Sequence, residues 1–436
     1  MMTIYNYNKP IKIAITYSLI TILLYEFGPI SFPNYNKILL YFFLLACNIA
    51  MFAGFSRGTK YAPAQSESVS RQYSIDKFLN FLFWISLIIC IPKFMIFTGI
   101  FDNVFPTIAL RISHYADFAQ ESYFDRHDLG IVTGVWVYIN YAVILLGPFH
   151  WAYIPLSLLF FKRLRLWKKC LTIIIWFIYL AQYLCTGTNV GVFTFLFTFG
   201  VVYVIKNRIL QNKKKQHKLR TFIIPLVVIL VFLGMFNLTM GSRSGATYEN
   251  ESDYSVCGST CSVNSNSVLY NITPQQLRPL LFSVTAYVAK PYATLLHSFD
   301  LPFKPTFGIG YSWFLLDNAP YSKDLWEQTY PVQLERRYQY SHYVNWHTAY
   351  TWFANDVSWF GVPIVLYFLF VCFGRSWRRF IDCDDIFSFL LFMLFVRFVL
   401  FISMNNQVFQ QPDTLFAFWI LVAIRALSKP YTWKIR

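Results

Sequence analysis

Long apolar runs decide what this chain can fold into. They lie at about 11–30, 37–55, 78–98, 131–161, 170–186, 190–205, 221–240, 358–374, 386–404 and 414–428, and a helix needs ~20 mostly apolar residues to cross a bilayer. Composition agrees: 56% of the residues are apolar and 13% charged, against ~25% charged in soluble domains. Disordered chains and small disulfide scaffolds are excluded. The runs predict an all-α integral membrane protein, a polytopic helical bundle of about ten transmembrane spans.

A net charge of +16 suits either nucleic acid or membrane topology, and its placement along the chain selects topology. With the N-terminus inside, 25 of the 37 Lys and Arg residues fall on inward segments, the densest being 161–169 and 206–220. The positive-inside rule then puts both termini in the cytoplasm. The long run 131–161 is expected to cross once, bent at Gly147-Pro148, because a hairpin would expel the basic cluster at 162–169. Conversely, Thr186-Gly187-Thr188-Asn189 breaks 170–205 into two spans.

The domain organisation follows. Spans one to seven fill 1–240, with an external loop at about 99–130. A large external loop occupies 241–357, and three further spans and a cytoplasmic tail fill 358–436. Six of the eight cysteines sit in spans or at cytoplasmic ends. Cys257 and Cys261 lie in the large loop, where an oxidising periplasm would join them. So small a loop contributes at most ~2 kcal/mol.

Only the two external segments have room for a site. No phosphate-binding Gly-rich loop, zinc-binding His-Glu-x-x-His helix or serine elbow occurs. Asp382-Cys383-Asp384-Asp385 follows Arg375, Arg378 and Arg379 and is expected to be a solvated cytoplasmic charge run. Arginines on a net acidic outer face are the best candidates for phosphate oxygens, whose geometry the guanidinium fork matches. Arg243 and Arg278 are the best placed, followed by Arg336 and Arg337, with Arg111 as a secondary candidate. Arg397 interrupts an apolar span, where a charge costs at least ~2.5–3.5 kcal/mol, so it must face protein, water or substrate. The Trp and Tyr residues dense over 311–360 suit either sugar faces or interfacial anchoring.

Pro-Thr-Phe-Gly-Ile-Gly at 305–310, followed by His347, Tyr350, Asp356 and Gly361 in NWHTAYTWFANDVSWFG, resembles the Pro-x-Phe-Gly-x-Gly and His-x-x-Tyr…Glu-x-Gly-x-x-Gly signature of the O-antigen ligase and polymerase superfamily. The order of parts is similar too: basic-flanked spans, an Arg at a span end, a large loop, and a helix returning to the membrane. The Ser-Arg-Gly element common in that superfamily reads Thr186-Gly187-Thr188-Asn189 here. Asp356 and Ser358 stand where Glu and Gly are usual, changes expected to leave the helix intact.

The resemblance implies a C-type glycosyltransferase of the Gram-negative inner membrane that needs neither metal nor cofactor. Its donor would be an undecaprenyl-diphosphate-linked oligosaccharide, extended into O-antigen at the periplasmic face. Membrane lipid and a polysaccharide chain-length regulator are the other implied partners, and nucleic acid is not one. The alternatives are a ligase that moves the same glycan to lipid A-core, and a flippase or other transporter. For the transferase, Asn345 is expected to cap a helix with His347 in its first turn, next to an anion-attracting helix end. His347 is then the candidate base, the arginines hold diphosphate, and Asp356 and Tyr350 are secondary candidates. Nine helical residues separate Asp356 from His347, which puts it ~180° around the helix.

Overall fold

A computed structural model describes residues 7–32, 37–60, 75–115, 133–207, 261–342, 345–383 and 385–427, with parts of 223–237. Among these the protein is helical apart from one two-stranded ribbon. Five helices are long and apolar enough to cross a membrane: α1 (Lys9–Phe27), α2 (Lys37–Lys60), α3 (Ile75–Thr98), α5 (Val135–Phe160) and α13 (Ala349–Cys383). Shorter apolar helices include α4 (Val104–Ser113), α7 (Val190–Ile205) and α14 (Ile386–Phe401). Most of the run 131–161 falls in the single helix α5, with Pro148 and Pro155 inside it. The run 170–205 is divided between α6 (Leu166–Leu184) and α7, with Gly187 at φ 61 in the break.

The chain forms two compact units. The first comprises Met1–Ser70, Thr247–Gln411 and Phe418–Tyr431, and the second Arg71–Ala246, Pro412–Ala417 and Thr432–Arg436.

In the first unit α2 packs along α13. The contact is close because Gly54-Phe-Ser-Arg-Gly58 presents two bare backbone positions four residues apart. A Cβ on Gly54 would strike the Tyr367 carbonyl, one on Gly58 the Val371 carbonyl, and one on Gly374 the Phe55 carbonyl. The carboxyl end of α1 is finished by a strap from residues 262–267. Strand β1 (Ile30–Ser31) pairs antiparallel with β2 (Ser262–Val263). Asn264 donates from its backbone to Pro29 O and from its side chain to Gly28 O, and Ser267 donates to Phe27 O. Carbonyls that a helix end leaves orphaned are thereby satisfied.

The strap continues through α8 (Val268–Ile272) into α9 (Arg278–Ser298). This helix lies inside the segment expected to form the large loop, yet it is packed rather than solvated. Phe282, Ala289, Tyr292, Leu295 and Leu296 are buried. The Tyr292 hydroxyl lies 2.9 Å from that of Thr21, partway down α1. Cys261 is disulfide-bonded and six cysteines are free; Cys257 falls outside the described residues.

At the far end of α14, Asp385 is buried and caps the helix. Its carboxylate accepts from Ser388 at 2.6 Å, from the Phe387 amide at 3.2 Å and from Arg425. Asp382 accepts from Tyr7 at 2.6 Å and pairs with Arg378 at 3.1 Å. The solvated charge run expected at 382–385 is therefore corrected at Asp385, which a helix end and a buried guanidinium draw inward. Asp384 lies outside the described residues.

In the second unit, Lys93 of α3 pairs with Asp413. Gly147 of α5 leaves room for that carboxylate, which a Cβ would strike. A charge placed in a span thus meets its opposite. Arg111 donates to Thr98 O at 2.8 Å and Cys185 O at 3.2 Å, at the carboxyl ends of α3 and α6. It completes two helix termini, a favourable place for a cation.

Candidate active site

The helix that carries the second half of the signature starts later than its sequence predicts. Thr348 is the cap of α13, its hydroxyl accepting from the Thr351 amide at 3.2 Å. Asn345 is occupied elsewhere, donating to Ser341 O from its backbone at 2.9 Å and from its side chain at 3.1 Å. His347 therefore precedes the helix and does not sit in its first turn. The correction is local: a threonine three residues before a free amide competes with the asparagine upstream.

His347 is only 1% exposed, and neither ring nitrogen has a hydrogen-bond partner among the described residues. Burial, aided by the charges of His342 and then Lys290, pushes its pKa down to about 3. The imidazole is neutral at any physiological pH. Its chain neighbours are held by two other helices. Trp346 packs on Tyr287 of α9 at 4.5 Å and on Phe401 of α14 at 6.2 Å, and the Ala349 amide donates to Ile402 O at 3.0 Å. Trp352 lies edge-on, 6.4 Å from the imidazole.

Lys290, one turn beyond Tyr287, has its pKa pushed down to about 8 by burial; nothing in the sequence singled it out. The Tyr17 hydroxyl donates to Leu400 O at 2.8 Å, two residues from Ile402. Tyr17 stands ten residues before the end of α1. The histidine is enclosed by packed helices.

Asp356 does different work. Its Oδ1 accepts from the Thr306 hydroxyl at 2.6 Å and from the amides of Gly308 at 2.8 Å and Gly310 at 3.0 Å, while Oδ2 accepts from the Tyr311 amide at 3.0 Å. The first half of the signature is thus folded over a carboxylate supplied by the second. Gly308 has φ 86, and a Cβ on Gly310 would strike the Thr306 hydroxyl, which accounts for both glycines.

Amides that the sequence did not mark hold the same loop. Asn355 donates to Gly310 O at 2.9 Å and accepts from the Tyr330 amide at 2.8 Å. Asn406 donates to Tyr311 O at 2.9 Å, and Gln410 accepts from the Trp313 amide at 2.7 Å.

Immediately after Asp356 the helix breaks. Ser358 has φ 57 and ψ 176, a region essentially reserved for glycine. The Ser-for-Gly difference is thus no mild change that leaves the helix intact: it lies at the break itself. The break follows Asp356 and so does not turn that carboxylate toward His347.

Other candidate residues have partners of their own. Arg278 opens α9 with its guanidinium 4.0 Å from the centre of the Tyr270 ring, and donates to the Tyr270 hydroxyl at 3.0 Å and Thr273 O at 3.3 Å. Arg336 pairs with Glu327 at 3.0 Å, and Arg337 donates to Asp300 O at 3.4 Å. His342 is held by Glu335. Arg397 is buried in α14, and its Nε has no hydrogen-bond partner among the described residues. Tyr350 is buried against Phe43, at 5.9 Å. Arg243 lies outside the described residues. No protein-family model, curated protein or solved structure matches the chain.

Proposed function

We propose that this chain is a multi-pass glycosyltransferase of the Gram-negative inner membrane, with ten spans and both termini cytoplasmic, that polymerises lipid-diphosphate-linked oligosaccharide repeat units into O-antigen at the periplasmic face. The observation that carries the reading is the pairing of a signature loop wrapped around Asp356 with a buried His347 whose ring nitrogens have no hydrogen-bond partner among the described residues.

In this reading the growing glycan leaves its undecaprenyl diphosphate for a sugar hydroxyl of the next lipid-linked unit. His347 takes the hydroxyl proton through a free ring nitrogen, and the negative diphosphate of the bound donor raises the proton affinity that burial lowers. Cations drawn from Arg243, Arg278, Arg336, Arg337 and Arg397, joined by Lys290, stabilise the departing diphosphate. Membrane lipid and a chain-length regulator are its partners.

The test is purified protein incubated with one synthetic undecaprenyl-diphosphate repeat unit. A ladder of products is expected. Unchanged substrate overturns the reading, and transfer only to added lipid A-core makes the enzyme a ligase instead.

A further inference from the structure

The signature loop is anchored from within and presents one large side chain outward. Thr306 and Gly310 are buried, the amides of Gly308, Gly310 and Tyr311 bond Asp356, and the Tyr311 carbonyl holds Asn406. Phe307 projects away from all of this, 80% exposed, from a backbone at φ 55. An aromatic residue is disfavoured in that left-handed region. A loop that fixes an exposed ring in a costly conformation positions it for something it touches.

What lies beside Phe307 indicates the partner. The Thr306 amide donates to Asn355 O at 3.1 Å and the Gly308 amide to Asp356 at 2.8 Å. The backbone of Phe307 is therefore pinned on both sides to the last turn of α13 before its break. Val357 on that turn is exposed. Beyond the break Phe360, Ile364 and Phe368 follow at steps of four, with Phe360 91% exposed. This stripe lies on an exposed face of a helix long and apolar enough to cross a membrane, where large apolar side chains suit hydrocarbon. The pinning places Phe307 beside the turn from which the stripe begins.

We infer that Phe307 is seated in lipid, packed against phospholipid acyl chains at the boundary where α13 enters the bilayer, so that the Asp356 clamp fixes the signature loop to the membrane surface. The inference rests on α13 spanning the membrane and does not depend on the glycosyltransferase reading. Its competitor is a glycan ring stacked on Phe307 in water.

Tyr321 supplies an internal control, since it is also left-handed, at φ 58, and 82% exposed, but is followed by Ser322, Lys323 and Asp324. The experiment is hydroxyl-radical footprinting of the unmodified protein in nanodiscs of phosphatidylethanolamine and phosphatidylglycerol, corrected for intrinsic reactivity. Phe307 is expected to lose labelling to the level of Phe360 while Tyr321 is oxidised. Oxidation of Phe307 at the level of Tyr321 overturns the inference.

A second arm replaces Phe307 with p-benzoylphenylalanine and irradiates the nanodiscs, with Phe360 and Tyr321 replaced in parallel. Phospholipid adducts at 307 and 360, and none at 321, are expected. A glycan adduct at 307 in native membranes, or no lipid adduct there when 360 gives one, refutes it. The footprint of the unmodified chain stands even where a substituted chain fails to fold.

Discussion

The Oδ1 atom of Asp356 lies 2.8 Å from the amide nitrogen of Gly308, 48 residues earlier in the chain. This bond and its three companions join the two halves of the signature into one object. Removing the acceptor with Asp356→Ala would strand four donors and is expected to cost on the order of 2–4 kcal/mol. Thermal unfolding of the purified variant should show this as a lower midpoint together with increased protease cleavage at 305–311. An unchanged midpoint would mean that the loop is held without the carboxylate.

Ser358 sits at φ 57, ψ 176, where glycine carries no side-chain penalty. Ser358→Gly should relieve strain worth ~1–3 kcal/mol, partly offset by the greater freedom of glycine in the unfolded chain. A net stabilisation of about 1 kcal/mol is expected. A fall in thermal midpoint would argue against a strained serine.

For His347 two measurements are separable. His347→Ala should lower turnover on a defined lipid-linked donor by about 10²–10⁴ if the ring is the general base, and near-normal turnover assigns it to packing. Its ionisation also sets a stability profile. The folded pKa, about 3, lies below the ordinary 6.5, so the unfolded chain binds an extra proton between those values. Stability from this group is full above pH 6.5 and is lost as pH falls toward 3. The stability difference between the wild type and His347→Asn should shift in that window, and a flat difference would contradict the burial.

Gly54 and Gly58 bring the backbones of α2 and α13 into contact. Gly58→Val should overpack the crossing and destabilise by ~1–3 kcal/mol or more. Gly200 of α7 has open space around it, so Gly200→Ala should unfold at or slightly above the wild-type midpoint. Equal midpoints for Gly58→Val and Gly200→Ala would show that the two helices separate freely.

Reporter fusions test the topology. Those after Lys169 and Lys215 should report cytoplasm, and those near Glu121 and Asn266 periplasm. A periplasmic signal after Lys169 would overturn the ten-span arrangement.

The sequence by itself determined the class of fold, because apolar length and the spacing of lysines and arginines are local and additive: each run at 11–30, 37–55 or 78–98 predicts a helix without knowledge of its neighbours. It also marked residues 305–310 and His347 to Asp356 as belonging together. Tertiary structure decided what each of them does. Asp356 turns to the loop, and His347 has no hydrogen-bond partner among the described residues, because hydrogen-bond geometry over 48 residues depends on how helices pack and leaves no trace in local periodicity. The same is true of Lys290, Asn406 and Gln410, polar residues whose surroundings come from other elements. Even the cap of α13 was settled this way: Asn345 and Thr348 both suit a helix start, and the bonds from Asn345 to Ser341 left the position to Thr348.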